Sequence, residues 1–163
     1  MLVKDAAILT WETDNTEPKW RIELLGGVRL QGFGVALSAF KTRRMTRLLA
    51  RLACFPDQAH PRDVLAEELW PEDAPDAIRE RFRQTLALLR HELEPAGVPS
   101  GSVLAADRST VRLQSGAFST DVHEFKTAFR EAAGEADPQR RIDLLHSALS
   151  YCGGELLLGY DDD

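Results

Sequence analysis

The sequence is poor in cysteine and in aromatic residues, and it has no long apolar run. Its 163 residues include 2 cysteines, too few for a disulfide framework, and 7% aromatic side chains. No stretch approaches the roughly 18 consecutive apolar residues of a membrane-spanning helix, and the first residues lack the charged-then-apolar pattern of a secretory signal. We therefore expect a cytoplasmic protein in a reducing compartment, without a membrane partner.

Motifs for catalysis, metal binding and cofactor binding are also missing. Gly32-Phe33-Gly34 lacks the rest of a dinucleotide fingerprint, and no glycine-rich phosphate loop follows a strand. The acidic run Asp161–Asp163 is better interpreted as a solvated tail than as a weak site for a divalent cation. The histidines have no metal-ligand spacing with one another or with the cysteines; they are His60, His91, His123 and His146. The sequence thus predicts neither an enzyme nor a cofactor or metal site.

The net charge of −6 argues at first against a nucleic-acid partner. Residues 1–39 hold 4 basic and 5 acidic side chains, residues 40–114 hold 12 and 11, and residues 115–163 hold 4 and 10. Almost all of the excess acid therefore lies near the end of the chain. This distribution removes the objection for the middle region, although a balance of +1 is far from the strongly basic footprint of many DNA-binding domains.

Hydrophobic periodicity predicts an α+β fold that is mainly helical. Apolar residues alternate up to residue 39, as in the strands of a small antiparallel sheet, and from Phe40 they repeat at helical spacing. The predicted order is strands within 6–11, 20–25 and 28–37, helices within 40–55, 61–69 and 75–93, a β-hairpin over 103–113, and helices at 121–133 and 138–151.

Side-chain patterns predict where these helices begin and which faces they bury. We expect His60 to cap the second helix, Asp73 the third and Asp137 the last. In the first helix, Thr46 and Ala50 lie opposite the apolar stripe. The expected buried residues of the first three helices are Met45, Leu48, Leu49, Leu52 and Phe55, then Val64, Leu65 and Leu69, then Ile78, Phe82, Leu86, Leu89 and Leu93.

The helix at 138–151 carries an unusually wide apolar stripe. Stripes of this width are typical of helices that pack on both sides, as in helical repeat arrays. Only one helix pair is present, so we expect an array cut short that leaves apolar surface exposed. The stripe consists of Ile142, Leu145, Leu149 and Cys152 on one face, with Leu144, Ala148 and Tyr151 beside it.

Short motifs in a fixed order connect most of the chain to one family. They are Leu24–Gly27, Lys41–Arg44 leading into Leu48-Leu49, Leu69–Pro71, Arg79–Leu93, Glu94-Pro95, Asp121–Phe125, Ala148–Tyr151 and Gly154–Leu157. The segment 40–113 resembles the winged helix of the OmpR/PhoB type and, in detail, the DNA-binding half of SARP-type bacterial transcriptional activators. The later motifs resemble the start of the tetratricopeptide-like "bacterial transcriptional activator" domain.

The resemblance implies a domain organisation. Residues 20–115 correspond to a winged helix-turn-helix DNA-binding domain, with an N-terminal antiparallel sheet and the hairpin 103–113 as its wing. Residues 116–163 correspond to the start of the tetratricopeptide-like helical domain. Residues 1–19 are then an N-terminal extension or an extra strand.

Helix 75–93 is the candidate for the DNA major groove. Gln84 suits adenine, Glu80 can accept from cytosine N4, and Arg83 can reach guanine or a phosphate. Arg79 and Arg90 are expected to contact phosphates, which fix register and carry little sequence information. At 100° per residue, the residues opposite the apolar stripe are Glu80, Gln84, Ala87 and His91, and those on one flank are Arg79, Arg83 and Arg90.

Basic residues outside this helix extend the candidate DNA surface. Arg108 at the hairpin tip is suited to the adjacent minor groove, and Arg112 to the DNA backbone. Leu88, where these activators commonly have arginine, faces either a thymine methyl or the core. The first helix adds candidate phosphate contacts from Lys41, Arg43, Arg44 and Arg47.

The resemblance implies a transcriptional activator whose partner is double-stranded DNA. It would bind direct repeats as head-to-tail copies and touch RNA polymerase through the loop Pro71–Asp76. The alternative is a protein–protein interaction module whose winged helix no longer binds DNA. The negative total charge and Glu80 favour that alternative. On that interpretation the flanking arginines belong to a solvated face and pair with acids such as Glu80 and Glu94. His91 is then an ordinary surface histidine.

Overall fold

The computed structural model describes residues 20–37, 40–56 and 58–157, and about half of these residues are helical. The order of elements agrees with the predicted one apart from two additional short strands and a short 3-10 helix (Ser115–Ala117), while the strand expected within 6–11 lies outside the described residues. No helix of the described part has the length and apolarity that crossing a membrane requires. The strands are β1 (Trp20–Glu23), β2 (Arg29–Gly32), β3 (Val35–Leu37), β4 (His60–Pro61), β5 (Leu104–Ala106), β6 (Thr110–Leu113) and β7 (Phe118–Thr120), and the helices are α1 (Arg43–Cys54), α2 (Arg62–Leu69), α3 (Pro75–Leu93), α4 (Asp121–Gly134) and α5 (Pro138–Tyr151).

The first sheet has the strand order β3-β2-β1-β7. Strand β2 is antiparallel to β1 and β3, as predicted, with Ile22 opposite Leu30. Strand β7 was not predicted, and it lies parallel to β1 with Trp20 opposite Phe118. A strand of 3 residues is too short to show an alternating pattern, so only its partner in the folded chain identifies it.

The second sheet joins β4, β6 and β5 in that order and contains the predicted hairpin. The prediction that His60 caps α2 is wrong, because His60 belongs to β4, is buried, and pairs with Val111 of β6. The N-cap of α2 is Pro61, which has no capping side chain. The backbone N–H of Arg62 donates instead to the carbonyl of Ser109 at 2.8 Å, so the start of α2 is held against the hairpin.

Helix α3 packs against α1 and α2 and buries the predicted stripe. The indole N–H of Trp20 donates to the carbonyl of Leu93 at 2.8 Å, which ties β1 to the end of α3. Because the apolar side of α3 is fixed in this way, its opposite side faces solvent. The buried stripe is Ile78, Phe82, Leu86, Leu89 and Leu93, as expected.

Four side chains lie on faces other than those expected. Thr46 and Ala50 are buried, because α1 packs against α2, α3 and β6 at once and has little polar face left. Phe55 follows the last residue of α1, where the helical period no longer applies, and it is exposed with the guanidinium of Arg51 4.9 Å from its ring centre. Val64 is exposed, because α2 turns Leu65, Ala66 and Leu69 to the core.

The two predicted caps of the later helices have different outcomes. Asp137 caps α5 and accepts from the N–H of Gln139 at 2.8 Å, as predicted. Asp73 does not cap α3, since the N-cap is Ala74 and the carboxylate of Asp73 pairs with Arg81. Pro75 at the start of α3 has no N–H, which leaves one donor fewer for a cap to satisfy.

Helices α4 and α5 pack against each other. Ala132 and Ala148 are buried, whereas Phe129, Ile142 and Leu149 are 54%, 46% and 63% exposed. The apolar surface expected of this helix pair is therefore present.

Buried polar contacts join the helix pair to the first sheet. The carboxylate of Asp121, only 3% exposed, accepts from the backbone N–H groups of Leu24, Leu25 and Val122 at 2.8 to 3.0 Å. An acceptor-only group here satisfies donors that no strand partner reaches. The start of α4 is thus fixed to the chain that leaves β1.

The segment after α5 returns to the same place. The N–H of Leu157 donates to the carbonyl of Leu24, and the N–H of Gly26 donates to the carbonyl of Glu155, both at 2.8 Å. Gly26 has a φ of +88°, and a Cβ there would lie 2.6 Å from the carbonyl oxygen of Gly153. We call the contacts of residues 24–26 with Asp121 and with residues 153–157 the junction.

Candidate nucleic-acid interface

The outward face of α3 presents the side chains selected for base contact. Glu80, Gln84, Ala87 and His91 are all exposed. Leu88 is 39% exposed, so it is not part of the core and stays a candidate for apolar contact. With its apolar side buried, α3 can approach the floor of a groove with this face first.

A compact hydrogen-bonded group occupies the centre of this face. The carboxylate of Glu80 accepts from Nε and Nη2 of Arg83 at 3.0 and 2.8 Å and from Nε2 of Gln84 at 2.7 Å. The hydrogen bond from Arg83, and after it the one from Gln84, lowers the pKa of Glu80 below its ordinary value. The same carboxylate raises the pKa of Arg83. Both groups therefore stay charged at neutral pH.

The hairpin tip is a tight turn closed by Asp107. Its carboxylate accepts from the backbone N–H groups of Ser109 and Thr110, each at 2.7 Å, and from their hydroxyls at 3.1 and 2.9 Å. These bonds, led by the one from the N–H of Ser109, hold the pKa of Asp107 well below its usual range. The turn keeps Arg108 exposed at its apex, and Arg112 is exposed on β6.

Arg62 adds a basic side chain that the sequence analysis did not select. It is the first residue of α2, and its Nη1 donates to the carbonyl of Asp107 at 2.9 Å. Its guanidinium lies 5.6 Å from the ring centre of Phe82 in α3. Arg62 therefore links α2, α3 and the hairpin tip. No local pattern could reveal this role, because Asp107 is 45 positions away in sequence.

Arg90 faces the hairpin. Its Nη2 donates to the carbonyl of Leu104 at 3.2 Å, and its Nε lies 3.7 Å from the carboxylate of Glu94. Glu94 in turn accepts from the backbone N–H groups of Gly101, Val103 and Leu104. Arg90 thus connects α3 to β5, and the phosphate contact expected of it stays a prediction.

A basic cleft lies on the other side of α3, towards α1. It has a volume of about 500 Å³. Arg44 donates from Nε to the carbonyl of Leu69 at 3.0 Å and lies over Trp70, and Lys41 lies 3.7 Å from Glu92 of α3. The structure thus brings most of the basic residues of the first helix to α3, together with Arg81, which the sequence analysis did not select. The lining residues are Thr42, Arg43, Arg44, Arg47, Trp70, Arg81, Gln84, Thr85 and Leu88.

The outward face of α3 therefore lies between two basic edges. One edge holds Arg62 and the hairpin arginines, and the other holds the arginines of the α1 cleft. A helix with its side chains is about 10–12 Å across and fits a major groove about 12 Å wide. In that geometry basic groups on both sides of the helix face the two phosphate backbones.

The structure offers no alternative centre for metal chemistry within the residues it describes. No group of three or more His, Cys, Asp or Glu side chains in that part of the chain is placed to hold a metal ion. Cys54 is half-buried and Cys152 exposed, and neither forms a disulfide.

Comparison with known proteins gives a structural match and no match at the sequence level. No protein-family model matches the chain, and no curated protein sequence matches it significantly. The fold is similar to that of EmbR from Mycobacterium tuberculosis, solved in complex with a low-affinity phosphopeptide, with a TM-score of 0.72 and 25% sequence identity over 86% of this chain. This chain spans 38% of the EmbR chain. EmbR is a SARP-family regulator, so the similarity supports a SARP-like fold, and the α+β arrangement is consistent with a winged helix.

Proposed function

We propose that the chain is a sequence-specific DNA-binding regulator of transcription. Helix α3 reads the major groove, and the β5–β6 hairpin reaches the minor groove or the DNA backbone. The observation that carries this proposal is the polar outward face of α3 between two basic edges. The similarity in fold to EmbR, a transcriptional regulator, supports the same function.

The two edges supply affinity, and the face between them supplies specificity. Each arginine or lysine that neutralises a phosphate releases a counterion, so affinity depends steeply on salt. We propose such contacts for Lys41, Arg43, Arg44 and Arg47 on one side and for Arg79 and Arg112 on the other. Arg108 enters the minor groove, where a narrow groove strengthens the attraction of a guanidinium.

Base readout falls to the exposed polar side chains of α3. Gln84 carries the amide that matches adenine, and Arg83 carries the guanidinium that matches guanine. His91 lies further along the same exposed face and reaches a base edge or a phosphate. We propose that Leu88, which lines the α1 cleft, contacts a thymine methyl.

We further propose that the protein activates transcription from direct repeats, as head-to-tail copies. The charge balance of +1 over residues 40–114 supports only modest affinity for one copy, so repeated sites add the affinity that one copy lacks. The segment Pro71–Asp76, which joins α2 to the first turn of α3, is exposed at Pro71, Glu72 and Asp76 and is rich in acid, which suits it to a basic surface of RNA polymerase.

Selection from random duplex DNA tests the proposal directly. We expect recovery of an enriched motif, affinity for it that falls steeply as salt rises, and a salt slope that flattens by about one unit in Arg43→Ala. Arg140→Ala, an exposed arginine of α5, is the matched control and should leave the slope unchanged. Absence of any enriched motif, with binding no stronger than that of an acidic control protein, would overturn the proposal.

The second candidate function is a protein-interaction module. It is favoured by the pairing of α3 arginines with acids, Arg83 with Glu80 at 2.8 Å and Arg79 with Asp76 at 3.5 Å, which lowers their availability to phosphates. The exposed Phe129 of the helix pair points the same way. Under this alternative, duplex DNA gives no enriched motif, and substituting Arg43 changes nothing in DNA binding.

A further inference from the structure

The carboxylate of Glu80 is already hydrogen-bonded within the protein, unlike a carboxylate that is free to contact a base. Its two oxygens already accept three hydrogen bonds, two from Arg83 and one from Gln84. A carboxylate offers about four acceptor positions, so little capacity is left for a cytosine amino group. The three side chains occupy adjacent turns of the same exposed face, where they contact no other element through these bonds.

The bonds to Glu80 select which atoms its two neighbours present to DNA. Arg83 uses Nε and one N–H of Nη2, which leaves the end of the guanidinium, with both Nη groups, directed outward. That end has the two parallel donors that match guanine O6 and N7. Two hydrogen bonds to one carboxylate also restrict the rotamers of Arg83, so the side chain loses less conformational entropy when it binds DNA.

Gln84 is oriented by the same carboxylate. An ionised carboxylate only accepts, so the amide nitrogen of Gln84 must face Glu80, as the 2.7 Å distance from Nε2 to Oε1 shows. One N–H and the carbonyl oxygen of the amide then stay available. These are the donor and acceptor that pair with N7 and N6 of adenine.

We infer that Glu80 is a positioning residue that sets the sequence specificity of α3 by orienting Arg83 and Gln84, and that it does not itself read a base. This inference rests on the proposed DNA-binding function. It replaces the expected contact of Glu80 with cytosine by an indirect role. It also accounts for an acidic side chain on a surface that approaches phosphates, where a carboxylate without such a role only weakens binding.

Glu80→Gln separates this role from that of an ordinary surface acid. Loss of the charge near phosphates raises affinity for random duplex DNA in any case. If Glu80 orients its neighbours, affinity for the selected duplex rises less or falls, so that the ratio of specific to non-specific affinity drops between about 5-fold and about 150-fold, the range for one bidentate base contact. The preference should relax at the same base pairs as in Arg83→Ala and Gln84→Ala.

Asp76→Asn provides a matched control. Asp76 is an exposed acid of the same helix and pairs with Arg79 at the same three-residue spacing, but through one long contact of 3.5 Å. Its loss should raise specific and non-specific affinity together and leave their ratio unchanged. A Glu80→Gln variant that behaves like Asp76→Asn would overturn the inference.

A double variant distinguishes positioning from direct readout. If Glu80 acts through Arg83, then Glu80→Gln combined with Arg83→Ala relaxes the Arg83 base pair no further than Arg83→Ala alone. Relaxation by Glu80→Gln of a base pair that neither Arg83→Ala nor Gln84→Ala affects would instead show that Glu80 reads a base itself, and the inference would fail. If the unmodified protein selects no motif, the proposed function itself fails. If the protein selects a motif that Glu80→Gln leaves unaltered, only the inference about Glu80 fails. Thermal unfolding of each variant checks that the fold is intact.

Discussion

The junction and the outward face of α3 use the same kinds of hydrogen-bonding groups in opposite environments. At the junction, the carboxylate of Asp121 is buried and accepts from backbone N–H groups of residues nearly a hundred positions away. On α3, the carboxylate of Glu80 is exposed and accepts from side chains three and four positions away. Water can replace the partners of Glu80 but not those of Asp121.

This difference separates stability from recognition. A lost partner at the junction leaves buried donors without an acceptor, so we expect substitutions there to act on the free energy of unfolding. A lost partner on α3 is replaced by solvent, so we expect substitutions there to act on DNA binding and to leave the fold unchanged. Two substitutions test this separation at the junction, a third extends it to the hairpin tip, and a buried histidine of β4 gives the smallest expected effect.

Asp121→Ala should destabilise the protein most. It removes the acceptor of the backbone N–H groups of Leu24, Leu25 and Val122, and we expect a loss of about 3–4 kcal/mol in the free energy of unfolding. Urea denaturation measures this loss. Asp143→Ala, an exposed acid of α5, should change stability by less than about 0.5 kcal/mol. Equal effects of the two variants would contradict the separation.

Gly26→Ala should give the next largest loss. Gly26 and Gly34 both have positive φ, at +88° and +74°, but only a Cβ at Gly26 meets backbone, 2.6 Å from the carbonyl oxygen of Gly153. We expect about 1–2 kcal/mol from the left-handed backbone in Gly34→Ala, and more in Gly26→Ala because of the clash. Thermal or urea unfolding of the pair measures the difference. Similar losses in both variants would show that the segment after α5 adds no steric clash at residue 26.

Arg108→Ala should change binding alone. We expect a loss of about 1–3 kcal/mol in affinity for the selected duplex and no change in the unfolding free energy beyond about 0.5 kcal/mol. Arg130→Ala provides the same substitution on the exposed surface of α4. Fluorescence anisotropy with labelled duplex measures affinity, and a loss shared by both variants would point to general charge rather than to the hairpin tip.

The smallest effect is a pH dependence from His60. Burial, and after it the charge of Arg51, lowers the pKa of His60 below its ordinary value of 6.5. The unfolded chain then takes up a proton at a higher pH than the folded chain, so stability is retained above pH 6.5 and falls as the pH drops below it. Urea denaturation between pH 8 and pH 5 should show the decline, and His60→Gln should reduce its slope. A slope that His60→Gln leaves unaltered would assign the decline to other groups.

Sequence reasoning recovered the helices and the hairpin because their signals are local. The stripe from Ile78 to Leu93 and the Asp137 cap each lie within one helix, and both are confirmed. The two wrong cap assignments concern residues whose partners lie outside the helical turn that a cap would serve. His60 has the sequence position of a cap but pairs with Val111 in a sheet. Asp73 also has the position of a cap, but its carboxylate pairs with Arg81.

The candidate site divides in the same way. The exposure of Glu80, Gln84 and His91 follows from helical geometry alone, since the opposite side of α3 is apolar. Arg62 and Arg81 could not be selected, because their places beside the hairpin tip and in the α1 cleft depend on how three elements pack. The pairing of Glu80 with Arg83 is permitted by their spacing, but its bidentate geometry is visible only in the structure.

By itself, the sequence determined most of the elements of this protein, the apolar faces of most helices, and the concentration of acid near the end of the chain. Those properties depend on residues within a few turns of one another, where periodicity and capping act. Only the tertiary structure decided that β7 joins β1, that Asp121 and residues 153–157 close the junction, and that basic edges lie on both sides of α3. These contacts join residues that are far apart in sequence, some through buried donors that need an acceptor, and no local pattern records which distant group will be the partner.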